Sequence, residues 1–359
     1  MNENMKQESA TSDLIIRREG TAGRITLNRP KALNALNAGM LAAIAPALEA
    51  WREDPDVELI IIDGTGERGL CAGGDIRAMY DSRKEGSGFA RTFWRDEYRL
   101  NAEIKRYPKP YVAFMDGIVM GGGIGLSAHG SHRIVTERSE LAMPETGIGL
   151  IPDVGGTFLL SRSPGAVGSY LGLVGERMHG AGTIFAGFAD CFVQSERLAD
   201  LARDLSQAKA KDVDAVIARY REPPPPSELK SHAAEIDAIF NLDSLREIMR
   251  ALDSSGSPWA QKTRAALVPR SPLALTLTHS AIRRAKGLSS LEAALNVEYR
   301  LVVRLFESGE FTEGVRALII DKDKKPLWNP ARLDDVDAAT VAKFFATLPA
   351  REELGLAPR

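Results

Sequence analysis

Two acidic residues in a glycine-rich, otherwise apolar segment are the side chains best suited to chemistry. Glu145 and Asp153 lie eight positions apart in AMPETGIGLIPDVGGTF, and each directly follows a proline. Proline is favoured at the first position of a helix, so each acid is expected in the first turn of a short helix. The helix dipole there favours an ionised carboxylate, which can act as a base or a nucleophile. The alternative is that both acids only cap helices.

A run of glycines in IVMGGGIGLSAHG, residues 118–130, lies where a predicted strand feeds a predicted helix. From Gly123 onward the letters also fit the dinucleotide-binding pattern G-x-G-x-x-A. We reject a dinucleotide site because the helix meets Gly130 after about two turns, too few to cross back to a neighbouring parallel strand. The N–H groups of the first helical turn suit an oxyanion instead. Close packing of helix and strand would by itself explain one or two of these glycines.

A second segment of this type, GLCAGGDIRAM, also follows a predicted buried strand, and Asp75 is placed to cap the next helix. By itself this segment is a capped turn without a function. Together, the two strand–helix junctions offer two N–H groups, which is a common composition of an oxyanion hole. The five histidines show no metal-binding pattern, and no G-x-S-x-G segment marks a serine nucleophile.

The elements that must position these segments alternate between strands and helices. LIIRREGTAGRITL predicts two strands joined by a turn at Gly20–Gly23, and Asn37 is expected to cap the helix that follows. VELIIIDGTG, PYVAFMDGIVM and HRIVTE predict further strands, with the amphipathic stretch FARTFWRDEYRLNAEIKRY among them. This alternation predicts an α/β domain over residues 13–200.

The chain changes character after that domain. We expect residues 201–359 to form a helix-rich C-terminal region. The four prolines Pro223–Pro226 fit neither helix nor strand and indicate a linker or a long loop. Residues 1–12 are polar and lack a hydrophobic signal-peptide core, so we expect a disordered tail.

Composition and charge exclude several classes of protein. With 359 residues, of which 44% are hydrophobic and 26% charged, the chain resembles a soluble globular protein. The net charge of −2 provides no basic field for nucleic acid or an anionic membrane, and no apolar run is long enough to span a bilayer. Cys71 and Cys191 are too few and too far apart to predict a disulfide or a zinc site. These features lead us to expect a cytoplasmic protein.

Four motifs, in order across residues 14–200, resemble those of the crotonase superfamily of enoyl-CoA hydratases and isomerases. They are LNRPKALNAL, CAGGDI, MDGIVMGGGIGLSAHGSHRI and MPETGIGLIPDVGG. The resemblance implies an α/β fold, a crotonase-like spiral of ββα units with a helical C-terminal region, and a CoA-thioester substrate. It implies that the N–H groups of Gly74 and Gly122 hold the thioester oxygen. The residues that it implies along CoA are Lys31, Ala32, Ala35 and Ala72, with Lys31 either at a phosphate or simply solvated.

Two departures from the hydratases select a branch of the superfamily. Gly125 stands where the hydratases carry a glutamate after the glycine run, and Asp153 stands where they usually carry glycine. The pair Glu145 and Asp153 resembles that of the 3-hydroxyisobutyryl-CoA hydrolases, as do EYRL at 298–301 and FTEGVRALIIDKDKKPLWNP at 311–330. WRDEYRLN at 94–101 resembles their helix over the acyl pocket, which implies that Glu97 meets the substrate.

The resemblance therefore implies hydrolysis of 3-hydroxyisobutyryl-CoA, a short 3-hydroxyacyl-CoA thioester, in valine catabolism. Glu145 would attack the carbonyl and form a transient anhydride, or would act as general base for water. Asp153 would orient the acyl hydroxyl or the water and protonate the leaving group. No metal or further cofactor is expected, because CoA arrives with the substrate, and a homo-oligomer such as a trimer is one possible assembly. The alternatives are an enoyl-CoA hydratase or isomerase and an inactive CoA-ester-binding protein.

Overall fold

The computed structural model describes residues 9–357, and these residues form two compact units. The first, here called the sheet unit, comprises residues 9–74, 100–141 and 178–227. The second, here called the helical unit, comprises residues 75–99, 142–177 and 228–357. This division differs from a single boundary at residue 200, because the helical unit includes two segments from inside the expected α/β core. One boundary lies after Ser227, one residue beyond Pro223–Pro226, where we expected a linker or a long loop.

The strands belong to two sheets. Their bounds are β1 (Ser9–Thr11), β2 (Leu14–Glu19), β3 (Ala22–Leu27), β4 (Leu59–Gly64), β5 (Tyr111–Met115), β6 (Ile118–Met120), β7 (His132–Val135), β8 (Glu140–Ala142), β9 (Met178–His179) and β10 (Cys191–Phe192). Within the described residues, seven strands form a sheet of order β1-β2-β3-β4-β5-β7-β10. Its first three strands are antiparallel neighbours, and from β3 onward the neighbours are parallel. The other sheet has the order β6-β8-β9.

Most predicted strands are confirmed, with two differences. Residues 1–8 of the expected disordered tail lie outside the described residues, but residues 9–11 form β1 at the edge of the sheet, so disorder was the wrong expectation for them. PYVAFMDGIVM forms two strands, β5 and β6. Gly117 separates them with a left-handed φ of 64°, and a Cβ there would lie 2.7 Å from the Arg68 carbonyl oxygen.

The helices range from four to eighteen residues within the described chain. Their bounds are α1 (Ala38–Arg52), α2 (Ile76–Glu85), α3 (Phe89–Lys105), α4 (Gly122–Ser127), α5 (Gly156–Leu160), α6 (Val167–Val174), α7 (Gly180–Phe185), α8 (Leu198–Leu205), α9 (Val213–Ala218), α10 (Glu228–Ser231), α11 (Ala233–Phe240), α12 (Leu245–Ser254), α13 (Pro258–Leu267), α14 (Pro272–Ala285), α15 (Leu291–Ser308), α16 (Glu310–Val315) and α17 (Ala338–Phe345). Asn37 and Asp75 cap α1 and α2 through their side chains, as the sequence predicts.

The sheet unit buries one face of its large sheet under α8 and α9. Leu201, Leu205 and Val213 belong to the same buried cluster as Leu59 and Val112 of the strands. The charged stretch after residue 198 is therefore amphipathic, and its apolar side completes the core of the sheet unit. This is why residues 201–227 belong to the sheet unit and not to the C-terminal region in which we expected them.

In the helical unit, α14 packs against α5 and α6, and α15 packs against α16 and α17. Trp94 of α3 makes edge-on contacts with Phe306 of α15 and Phe311 of α16, with ring centroids 5.7 and 5.9 Å apart. Aromatic pairs in this geometry add stability beyond the area that they bury. They fix the part of α3 from which Glu97 and Tyr98 project.

Candidate active site

Two paired backbone segments of the sheet unit bring Gly74 and Gly122 to equivalent positions. Cys71 pairs with Val119 in parallel, and Gly74 and Gly122 follow three residues later in their respective segments. A Cβ placed on Gly73 would lie 3.9 Å from the Gly122 nitrogen, so the two glycine segments are neighbours. The two turns from which the sequence predicts oxyanion donors are thus side by side.

In the glycine run at the start of α4, each successive position favours glycine for a different structural reason. Gly121 has φ 47° and ψ −120°, a conformation that side chains other than hydrogen rarely allow. A Cβ on Gly123 would lie 2.4 Å from the Cys71 carbonyl oxygen, so close packing explains this glycine. Gly122 is the first residue of α4, where a helix provides no acceptor for the N–H group. The helix ends at Ser127 and β7 begins at His132, which leaves no room for a dinucleotide-type crossover.

The segment implied to lie along CoA is a fixed turn of the sheet unit. A 3-10 helix at Pro30–Ala32 is followed by Leu33 and Asn34, whose φ angles of 52° and 55° are left-handed. Asn34 is buried, and its side-chain amide donates to the carbonyls of Thr65 and Gly69, both at 3.0 Å. The sequence did not single out Asn34, which holds this turn. Of the residues implied at CoA, the exposed ones are Lys31 and Ala32 and the half-buried ones are Ala35 and Ala72.

Four carboxylic acids of the helical unit form one buried group. Glu97, Glu145, Asp153 and Glu298 are 3%, 6%, 5% and 0% exposed. The negative charge of Asp153 raises the pKa of each of the other three, so all three lie within its electrostatic reach. We call these residues the acid cluster. It brings together both predicted catalytic acids and the predicted substrate-binding residue Glu97.

Glu145 begins a 3-10 helix, Glu145–Ile148, directly after Pro144. The predicted placement of this acid in the first turn of a short helix is confirmed. Its Oε2 atom is buried and has no hydrogen-bond partner among residues 9–357. Buried polar atoms are nearly always paired, so this oxygen is suited to receive a hydrogen bond from a water molecule or a substrate.

Asp153 lies in a turn, three residues before α5 begins at Gly156, so its expected placement in a first helical turn was wrong. Val154 and Gly155 follow with left-handed φ angles of 51° and 80° and delay the start of the helix. The hydroxyl of Tyr98 donates a hydrogen bond of 2.6 Å to Oδ2 of Asp153.

Burial raises the pKa of every member of the acid cluster. It raises the pKa of Asp153 to about 6 and that of Glu298 to about 7, although hydrogen bonds to both carboxylates act in the opposite direction. Burial, together with the charge of Asp153, raises the pKa of Glu97 and of Glu145 well above the usual range. The pKa of Glu145 and of Asp153 therefore moves in the direction opposite to the one expected from helix ends, because desolvation outweighs the dipole.

Arg270 partly offsets the charge of the acid cluster. Its positive charge lowers the pKa of Glu145, while burial lowers the pKa of Arg270 itself to about 10. The guanidinium donates hydrogen bonds to the Thr146 hydroxyl and the Val174 carbonyl, which fixes its position. A carboxyl group whose pKa lies near neutrality can accept a proton in one step and return it in another. The acid cluster is therefore equipped for proton transfer.

The comparisons with known proteins agree with the sequence motifs. A family model described as enoyl-CoA hydratase/isomerase matches residues 22–345. A relative from Gallus gallus, named "3-hydroxyisobutyryl-CoA hydrolase, mitochondrial", is 43% identical over 351 residues, which are 96% of this chain and 91% of the relative. The chain belongs to the enoyl-CoA hydratase/isomerase family.

Two solved structures confirm the fold expected of this enoyl-CoA hydratase/isomerase family member. A carnitinyl-CoA dehydratase from Mycobacterium thermoresistibile is 45% identical, with a TM-score of 0.91 and coverage of 96% of this chain and 98% of its own. An enoyl-CoA hydratase from Rhodobacter sphaeroides 2.4.1 is 43% identical, with the same TM-score of 0.91 and coverage of 96% and 100%. The α/β fold with a helical C-terminal region is thereby confirmed.

The names of these family members refer to different reactions, so the residues of the site must show which reaction this chain is equipped to catalyse. Water addition in the hydratases is expected to need a glutamate on the helix after the glycine run. Here α4 has the sequence GGIGLS, with Gly125 at the position in question, and carries no acid. The acid cluster that holds Glu145 instead contains Asp153, whose charge acts on Glu145.

Three residues of the site escaped the sequence reasoning: Tyr98, Arg270 and Glu298. Tyr98 and Glu298 were present only as letters of the WRDEYRLN and EYRL resemblances, without a role. The sequence does contain a feature that could have identified Glu298. This residue lies three positions after Leu295 and seven after Leu291, on the apolar stripe of α15. An acid on such a stripe indicates a buried carboxylate with a specific partner.

The expectation of a cytoplasmic protein is corrected by the comparison, because the Gallus gallus family member is named as mitochondrial. Charge and cysteine content report on solubility and redox conditions, and do not distinguish one reducing compartment from another. No helix within residues 9–357 is long and apolar enough to cross a membrane. In the same range, no group of three or more His, Cys, Asp or Glu side chains is arranged to hold a metal ion.

Proposed function

We propose that this protein hydrolyses 3-hydroxyisobutyryl-CoA to 3-hydroxyisobutyrate and CoA, as a step of valine breakdown. The observation that carries the proposal is the pairing of Glu145 with Asp153 in a buried acid cluster, while α4 provides no second acid for water addition. The name of the relative that is 43% identical over 96% of the chain supports the same reaction. Glu97 of the acid cluster meets the acyl group in this proposal, and Lys31, Ala32, Ala35 and Ala72 contact CoA.

In this reaction the N–H groups of Gly74 and Gly122 donate to the carbonyl oxygen of the thioester. The oxygen becomes negatively charged when a nucleophile adds, and the donors stabilise that charge most strongly in the transition state. Backbone donors on two paired segments are held in place before the substrate binds. They therefore need little reorganisation during the reaction.

Glu145 supplies either the nucleophile or the base. In the first route, its carboxylate oxygen attacks the carbonyl carbon, the C–S bond breaks, and water then hydrolyses the resulting anhydride. In the second route, the carboxylate removes a proton from water while the water oxygen attacks the same carbon. Both routes need an ionised Glu145, and Arg270 favours that form by lowering its pKa.

Asp153 orients the acyl hydroxyl or the water and donates the proton that the leaving thiolate takes up. A pKa of about 6 suits this task, because the group can hold a proton and release it near neutral pH. No metal ion or further cofactor takes part, since oxyanion donors and carboxyl groups suffice for the chemistry. Thiol release should therefore be unchanged after treatment with EDTA. We also propose a homo-oligomer, which sedimentation would detect.

The proposal is tested with a panel of branched and straight 3-hydroxyacyl-CoA esters and matched enoyl-CoA esters. Thiol release is followed with a chromogenic disulfide, and loss of the enoyl group by ultraviolet absorbance. We expect thiol release to be fastest with 3-hydroxyisobutyryl-CoA, and the enoyl signal to stay at the background rate. A single turnover in H₂¹⁸O distinguishes the two routes, because only the anhydride route can leave ¹⁸O in Glu145.

Other outcomes would overturn the proposal in identifiable ways. Enoyl loss without thiol release would favour a hydratase, the second candidate, which the names of the two solved structures suggest. Tight binding of CoA esters with neither reaction would favour a binding protein without catalysis. Wild-type thiol release by Asp153→Asn would remove the assignment of a catalytic role to that residue.

A further inference from the structure

Asp153 lies in a turn whose strained conformation depends on contacts with other parts of the chain. Val154, directly after it, has a left-handed φ of 51°, which is unfavourable for a β-branched side chain. Gly155 continues with φ 80° and stands at the N-cap of α5, where it has no side chain to accept the first N–H groups of the helix. A strained turn persists only when its surroundings hold it.

Glu298 supplies the missing cap from a distant helix. Its carboxylate is fully buried on α15 and accepts the N–H groups of Gly155 at 2.7 Å and of Thr157 at 2.9 Å. It also accepts the Thr157 hydroxyl. Three donors on one carboxylate fix the end of α5, and with it the turn that carries Asp153.

Tyr98 fixes the side chain of the same residue. Its hydroxyl donates to Oδ2 of Asp153 at 2.6 Å, and both groups are buried. The Tyr98 ring lies edge-on to Tyr299, the residue next to Glu298 on α15, with ring centroids 6.2 Å apart. One helix therefore supports Asp153 twice, through its backbone turn and through the ring that orients its carboxylate.

We infer that Tyr98 and Glu298 are positioning residues for Asp153, with Tyr98 holding the carboxylate and Glu298 the backbone turn. The inference rests on the proposed function, in which Asp153 acts on the thioester. Three more charged or titratable groups bear on Asp153 or its neighbours: Glu97 from α3, Glu145 from its 3-10 helix and Arg270 before α14. Neither Tyr98 nor Glu298 needs to touch the substrate for this role.

Tyr98→Phe removes the hydroxyl and keeps the ring, so it tests the first part of the inference. We expect kcat for thiol release to fall about 10- to 100-fold, as when a reacting group is misplaced, with KM within about threefold of wild type. The hydrogen bond from Tyr98 lowers the pKa of Asp153, so its loss raises that pKa. The limb of the pH–rate profile that belongs to Asp153 should move to higher pH, whether the acid or the base form is required.

Tyr170→Phe is the matched control. Tyr170 is a buried tyrosine of α6 that packs on Phe240 and Trp259 in the same unit. Its loss of a hydroxyl should leave both kcat and the pH profile unchanged. A Tyr98→Phe enzyme with wild-type kcat and an unmoved profile would overturn the role of Tyr98.

Glu298→Gln and Thr157→Val test the second part. The glutamine replaces one acceptor with an NH₂ group that opposes a backbone N–H, and we expect a fall in kcat of about 10- to 100-fold. Thr157→Val removes one of the three donors and should lower kcat by a smaller factor. This variant also tests the role of Glu298 if the Glu298→Gln protein does not fold. Wild-type kcat in both variants would overturn the role of Glu298.

The background of Asp153→Asn separates this inference from the proposed function. If Tyr98 and Glu298 act through Asp153, adding Tyr98→Phe or Glu298→Gln to Asp153→Asn should lower kcat by less than about twofold. A further 10-fold loss in that background would overturn the inference and leave the hydrolase proposal intact. Near-normal hydrolysis by Asp153→Asn itself would count against the proposed role of Asp153 and not against the contacts of Tyr98 and Glu298.

Discussion

The sheet unit and the helical unit contribute different kinds of chemical group, backbone N–H groups in the first and ionisable side chains in the second. The sheet unit offers backbone N–H groups at Gly74 and Gly122, on segments whose conformation depends on the absence of a Cβ at Gly121 and Gly123. The helical unit offers ionisable side chains, and burial moves the pKa of each. The first arrangement adds no buried charge, whereas the second requires charges to be desolvated at a cost in stability.

This difference shows which substitutions each unit tolerates. A backbone donor cannot be removed by exchanging a side chain, and it is displaced only when an added atom moves the main chain. A carboxylate loses its function when one oxygen becomes nitrogen, even if nothing moves. A methyl group should therefore damage the sheet unit, and a neutral isostere should damage the helical unit.

The largest effect is expected from Glu145→Gln in the helical unit. The shape is kept, but an amide is neither a nucleophile nor a base, so kcat should fall by about 10³-fold or more with KM nearly unchanged. The measurement is thiol release from 3-hydroxyisobutyryl-CoA at saturation. Glu228→Gln, an exposed acid of the same unit, should keep full activity. A modest loss in Glu145→Gln, within tenfold, would contradict the chemical role of the acid cluster.

A methyl group at Gly123 is the corresponding test of the sheet unit. The new Cβ would lie 2.4 Å from the Cys71 carbonyl oxygen and would push α4, with the Gly122 amide, out of place. We expect kcat to fall about 10²-fold, the effect of losing one oxyanion donor. Gly256→Ala adds the same methyl with no heavy atom within 4 Å and should be silent. Full activity in Gly123→Ala would show that the alignment of these amides is not needed.

Asp153→Asn should stabilise the protein while it lowers activity. Burial raises the pKa of Asp153 from 3.8 to about 6, so folding is penalised once the group must ionise. The penalty is absent below about pH 4, grows as the pH rises to about 6, and is complete above it, on the order of 3 kcal/mol. The variant should therefore melt a few degrees higher than wild type at pH 8, with a smaller difference at pH 5. A lower melting temperature at pH 8 would contradict the cost assigned to this buried charge.

The smallest effect is expected from Lys31→Ala, on the exposed turn of the sheet unit. A solvated lysine at a CoA phosphate contributes little, because water and salt screen the charge. KM should rise about two- to fivefold at low salt and less at high salt, with kcat unchanged. Lys286→Ala removes another exposed lysine and should leave KM as it is. An unchanged KM in Lys31→Ala would leave this lysine as a merely solvated residue.

The sequence predicted what depends on neighbours along the chain. The caps at Asn37 and Asp75, the β2–β3 hairpin and the short helix after the glycines all follow from residues a few positions apart. The family motifs added Glu97, Gly74 and Gly122, and the sheet unit does bring the last two together. For these parts, local conformational preferences are enough.

What the sequence could not predict depends on contacts between distant residues. Tyr98 and Asp153 are 55 positions apart, and Glu298 and Gly155 are 143 apart. The prolines before Glu145 and Asp153 predicted ionised acids at helix starts, but only the packing of several elements shows that desolvation decides their pKa. The membership of α8 and α9 in the sheet unit also depends on which surface their apolar side meets.

The remote cap on α5 has a consequence for the life of the chain on the ribosome. The N–H groups of Gly155 and Thr157 can form their hydrogen bonds to Glu298 only after Glu298 has been synthesised and α15 has packed. Prematurely terminated chains that lack α15 should therefore be inactive even though they contain both Glu145 and Asp153. Catalysis by this protein therefore requires that translation has proceeded through α15.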